Sequence, residues 1–77
     1  MTADASEIYL DLRGLEPPEP MERVLDALTE LRPGQHVRML IDREPRPLYR
    51  ILAQNGYLYE AVVRDGYLYD IVIKSRP

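Results

Sequence analysis

The sequence predicts an α+β two-layer sandwich of order βαβαββ, in which two helices cover one face of a four-stranded mixed sheet. Three observations carry that prediction. Ile8, Leu10 and Leu12 alternate with Tyr9, Asp11 and Arg13, the two-residue period of a strand with one buried face. Met21, Val24, Leu25, Leu28 and Leu31 recur at the spacing of an amphipathic helix, with Glu22, Arg23, Asp26 and Glu30 on its other side. The segments "GYLYE" and "GYLYD" stand ten residues apart around Asp65-Gly66, a favoured two-residue hairpin turn. A repeat array needs at least three longer units, so these two are the matched arms of a hairpin.

At 77 residues and 45% hydrophobic content, the chain can build one core and not two. The expected organisation is a flexible N-terminal stretch over residues 1–6 and a single domain over residues 7–75. Cys is absent, which excludes thiol chemistry, disulfides and thiolate metal sites. A stability of roughly 3–5 kcal/mol must then come from packing alone. The start "MTADASEIYLDL" lacks the basic-then-apolar order of a secretion signal, and no apolar run approaches the about 20 residues of a membrane span, so a cytoplasmic location is expected. A net charge of −3 weighs against general binding to a phosphate backbone, which uses clustered Lys and Arg.

Each element follows from its residues. After the first strand, "GLEPPEP" leads into the helix. Pro20 suits a helix start, where a missing N–H removes no bond, and Glu19 and Glu22 lie where the helix dipole favours negative charge. "RPG" at Arg32 to Gly34 ends the helix. Gln35 to Asp42 reads as a second strand, with Val37, Met39 and Ile41 on one face and His36, Arg38 and Leu40 on the other. Pro47 opens a shorter helix carrying Leu48, Ile51 and Leu52, stopped by Asn55-Gly56.

In the last hairpin, a two-residue turn at Asp65-Gly66 sets Arg64 against Tyr67, Val62 against Tyr69 and Leu58 against Ile73. One face then carries Leu58, Val62, Tyr69, Ile71 and Ile73. The other carries Tyr57, Tyr59, Ala61, Val63, Leu68 and Val72, interrupted by Asp70 and Lys74, a partly apolar outer surface where polar residues are expected. Two explanations stand: an interface, including a dimer through the hairpin face, or a bulge that mixes the two faces.

Residues with chemistry are few. The loop around Glu16, Pro17 and Glu19, after Arg13, is either a rigid recognition edge or a helix start held at a fixed angle. Arg43, Arg46 and Arg50 lie near the start of the second helix, where an anion would be attracted, yet Asp42 and Glu44 stand among them and can neutralise the surface. His36 is the sole histidine and has no second ligand at metal-binding spacing. Thr29 falls inside a helix, and Thr2, Ser6 and Ser75 lie near the termini, so no nucleophile stands beside a base. No enzyme, metal or cofactor is expected.

The run "LDLRGLEPPEPMERVLDAL", the "PG" before the second strand and the "DG" of the hairpin, in that order, resemble the SirA/TusA-like sulfur-carrier superfamily over nearly all of the chain. Its βαβαββ fold is similar to the C-terminal domain of bacterial initiation factor three. The superfamily signature is Cys-Pro-x-Pro before the first helix, matched here by Pro17-Pro18-Glu19-Pro20. Pro17 thus stands where the resemblance implies a persulfide-bearing cysteine, and proline has no atom to accept sulfur. The structural half, Gly14, Pro18 and Pro20, is kept. "LEPPEPM" with "DREPRPLY" is similar, more narrowly, to the domain of unknown function family numbered 2249. Its members occur alone or beside hemerythrin-like domains, which implies a redox or hemerythrin-like protein as partner. Arg43 stands where many relatives have histidine, so no histidine-ligand role carries over.

The expectation is a non-catalytic protein-binding or adaptor module without the sulfur-carrier cysteine, acting through Arg13, Glu16, Pro17, Glu19, Arg43, Arg46 and Arg50. The alternative is a regulatory small-molecule or anion-binding domain centred on Arg43 to Arg50. An RNA-binding module is a third reading that rests on fold analogy, with the acidic balance against it.

Overall fold

A computed structural model describes residues 6–76. Of the stretch expected to be flexible, residues 1–5 lie outside the described residues. Ser6 already belongs to the sheet's border, since its carbonyl accepts the His36 N–H at 2.8 Å. The elements run β1 (Glu7–Asp11), α1 (Glu19–Thr29), β2 (His36–Ile41), α2 (Arg46–Gln54), β3 (Tyr57–Arg64) and β4 (Leu68–Ser75). This is the α+β order that the periodicities predict. Pro47 is the second residue of α2 rather than its first, Arg46 having been drawn into the opening turn. Prolines there withhold N–H groups that have no intrahelical partner in any case.

The sheet order is β1-β2-β4-β3. β1 and β2 are parallel, as a crossover through α1 requires, while β4 runs antiparallel to both β2 and β3 and separates them. α1 lies against β1 and β2, and α2 against β3. Between the layers sit Leu12, Val24, Leu28, Val37, Met39, Ile41, Leu48, Leu52, Ile71 and Ile73, all buried. β2 alternates buried and half-buried residues without a break, the signature of a central strand with one face in the core.

The hairpin departs from the expected register by one residue. Asp65 and Gly66 take the positive φ of a primed turn (53° and 78°), and the Tyr67 N–H closes it on the Arg64 carbonyl at 3.2 Å. Arg64, however, pairs with Leu68 instead of Tyr67, Val62 with Asp70 and Leu58 with Lys74. Tyr67 is therefore an extra residue, a bulge beside the turn. A one-residue slip moves every β3 side chain across the sheet. Leu58 and Val62, expected in the core, share the outer face with Glu60, Arg64, Leu68, Asp70, Val72 and Lys74, while Tyr57, Tyr59, Ala61 and Val63 turn to the helix side with Tyr69, Ile71 and Ile73. The bulge explains the mixed pattern.

The outer face is organised by charge. Asp70, 9% exposed, accepts from Arg38 Nε and Nη2 at 3.0 and 2.9 Å, and Arg64 Nη2 approaches it at 2.8 Å. The Arg38 hydrogen bonds hold its carboxyl below the usual range against the opposing effect of burial. His36 Nε2 meets Glu7 Oε1 at 2.9 Å on the neighbouring strand.

Candidate binding groove

The loops leaving β1 and β2 end side by side, because the two strands are parallel neighbours and each is followed by a helix on the same face. Open α/β sheets place ligands at this end of their strands. One bond ties the loops together: the Gly14 N–H donates to Asp42 Oδ2 at 3.0 Å. Gly14 takes φ +79°, and a Cβ there would meet nothing within 4 Å, so glycine serves the backbone angle rather than a close approach.

Between the loops lies a groove of about 270 Å³. Pro17, Pro18, Pro20 and Met21 form one wall, Arg43, Glu44, Pro45, Pro47 and Leu48 the other, and Met39 and Ile41 rise from β2 between them. The Pro17–Pro18 peptide is cis. Two segments that the sequence offers as separate candidates, "EPPEP" and "REPRP", thus meet in one feature. Pro17 and Arg43 belong to it, with Pro18, Pro20 and Pro47 as its frame.

The remaining candidate residues stand elsewhere. Arg13 turns back on Asp11, with Nη2 to Oδ2 at 2.7 Å and Nε to Oδ1 at 2.9 Å. Those hydrogen bonds lower the Asp11 carboxyl to about 2. Glu19 holds Arg23 one helical turn on, at 3.0 Å. Arg46 bonds Glu44 at 3.1 Å, and Arg50 and Glu16 are exposed outside the groove lining. The arginines therefore do not converge. Among the described residues, no three His, Cys, Asp or Glu side chains come together in a way that could hold a metal ion. No helix among them is long and apolar enough to cross a membrane.

Met21, Met39, Ile41, Pro45 and Leu48 escaped the sequence reading of the site, since each reads as core or helix start. A signal was present. Two proline-rich helix starts, each after an alternating strand, must lie together if those strands are parallel neighbours.

Fold and groove define the class: a small SirA-like α+β domain with a cleft between the loops that follow β1 and β2. The crystal structure of a SirA-like protein from Desulfitobacterium hafniense superposes with a TM-score of 0.76 at 26% identity, covering 86% of this chain and 93% of that one. Within this class, the chain belongs to the family described as "Uncharacterized conserved protein (DUF2249)", which matches residues 9–75. Comparison with the curated proteins finds none that matches.

Proposed function

We propose that the domain is a non-catalytic protein-binding module whose proline-framed groove receives one or two apolar side chains from a partner. The observation that carries this reading is the groove lining itself, carbon-rich side chains held between two loops that Gly14 and Asp42 lock together. At about 270 Å³ the groove falls just under the roughly 300–1,000 Å³ of small-molecule sites, a size that suits side chains of a docked segment. Its five lining prolines on the two helix starts, Pro17, Pro18, Pro20, Pro45 and Pro47, have little freedom to lose on binding.

Electrostatics supports a protein over an anion. Arg46 is matched by Glu44 and Arg13 by Asp11, which leaves Arg43 as the cation of the groove lining, beside Glu44 in the same wall. The resemblance to sulfur carriers supports recognition without transfer, because the resemblance implies a cysteine at the position of Pro17 and the chain contains no thiol.

The test is affinity capture from native extract with the wild type, Met21→Glu in the groove and Val63→Lys on β3. A protein retained by wild type and Val63→Lys but lost by Met21→Glu is the expected result. Equal retention by all three, or none by any, sinks the groove as a docking site. A second check addresses the loop assignment. Pro17 is exposed, so the thiol of Pro17→Cys is expected to be alkylated at the rate of a free peptide thiol or faster at a helix start. A slow, inert thiol contradicts the placement of Pro17 at the open groove.

A further inference from the structure

We propose that two copies of this chain pair edge to edge through β3, antiparallel, about a two-fold axis at Val62. This contact is separate from the groove. β3 is the last strand of the sheet, exposed from Leu58 to Arg64 on both of its faces. Leu58, Tyr59, Val62 and Val63 are 41–53% exposed, unusual for a strand so rich in β-branched and aromatic residues.

The backbone is oriented for pairing. The Arg64 carbonyl points across the hairpin toward the β4 arm, accepting from Tyr67 just before that strand. Backbone groups alternate in direction along a strand, so those of Tyr59, Ala61 and Val63 face outward, away from β4. Such an edge is a template for another strand, and proteins usually block it with Lys or Pro. β3 contains neither. Its charges are Glu60 and Arg64, on the same outer face.

Those two charges select the register. With the axis at Val62, Glu60 of each copy opposes Arg64 of the other, Val62 opposes Val62, and Ala61 opposes Val63 on the helix side. An axis at Glu60 would set the two carboxylates against each other, and one at Ala61 would place Glu60 against Val62. The Val62 axis also puts Glu60 and Arg64 at a pair without direct backbone bonds, where opposing side chains come closest. Arg64 touches Asp70 through Nη2, and its side chain remains 56% exposed, open to a second carboxylate. The fit is to a second copy of this chain because the strand complements itself in charge and in apolar surface.

Sedimentation from micromolar to millimolar concentration tests the proposal. The wild type is expected to show a monomer–dimer equilibrium. Glu60→Lys and Arg64→Glu, each setting like charges across the axis, are expected to weaken it about tenfold or more. An equal mixture of the two variants is expected to associate again, because the new lysine of one faces the new glutamate of the other. Circular dichroism checks that each variant is folded; if Arg64→Glu is not, Val62→Lys at the axis provides the second disruption. A wild type that stays monomeric throughout, variants that dimerise as tightly as wild type, or folded variants whose mixture stays monomeric would each overturn the proposal.

Discussion

β2 and β3 carry similar apolar alternation and end with opposite fates. Val37, Met39 and Ile41 of β2 are 0–3% exposed, whereas Val62 and Val63 of β3 are about half exposed. The difference lies in position: each strand has a helix against it, α1 on β2 and α2 on β3, but β2 has β1 and β4 on its flanks, while β3 has β4 on one side and no strand of the described residues on the other. Burial is thus a property of the sheet order, and an apolar strand left at the edge is surface available for recognition.

The largest contrast comes from truncating each strand. Met39→Ala removes a fully buried side chain that also supports the groove, and is expected to lower unfolding stability by about 2–5 kcal/mol in denaturant titration. Val63→Ala is expected to stay within about 0.5 kcal/mol of wild type in the same measurement. Both are read at concentrations low enough to keep the chain monomeric, where equal losses would mean that β3 is covered within a single copy.

Asp70 on β4 links the two regions, since Arg38 of β2 and Arg64 of β3 both bind it. Asp70→Asn is expected to cost about 1–3 kcal/mol, with the half-exposed Arg64 contributing the smaller share. The sign with pH follows from a carboxyl held lower in the folded state than in the unfolded chain. Its stabilisation is present above the ordinary carboxylate range, near 3.9, and is lost as pH falls through the lowered folded value. Acid unfolding curves of wild type and Asp70→Asn should therefore converge at low pH, and parallel curves would argue against the ion cluster.

A smaller effect sits where α2 covers β3. Tyr49 stacks on Tyr59 with ring centroids 4.5 Å apart, and its buried hydroxyl has no hydrogen-bond partner among the described residues. Burial pushes that phenol up to about 12. Tyr49→Phe keeps the stack and removes the unpaired group, so a gain of up to about 1 kcal/mol is expected. A raised folded pKa means that the wild type keeps this contribution below pH 10 and loses it as pH rises toward 12. Thermal melts across that window should show a wild-type decline that Tyr49→Phe reduces.

Much of the fold was legible in the residues. The strand period at Ile8 to Leu12, the helical stripe from Met21 to Leu31 and the prolines at both helix starts are local patterns, and backbone geometry ties such patterns to one kind of element. The hairpin turn was legible too, since Asp-Gly accepts positive φ at both central positions. The register beyond it was not. Whether Tyr67 pairs or bulges depends on which β3 and β4 faces meet the helices, a question the turn residues do not answer.

The site divides in the same way. "EPPEP" and "REPRP" each announced a rigid helix start, and Pro17 and Arg43, both named from the sequence, line the groove. Their meeting in one groove was invisible, because it depends on β1 and β2 lying parallel and adjacent. The sequence by itself determined the elements, their order and the absence of thiol chemistry, all consequences of local geometry and residue type. The tertiary structure decided which strands became neighbours, so it alone joined two loops into the groove behind "LEPPEP", folded Asp70 between Arg38 and Arg64, and left β3 at the edge of the sheet.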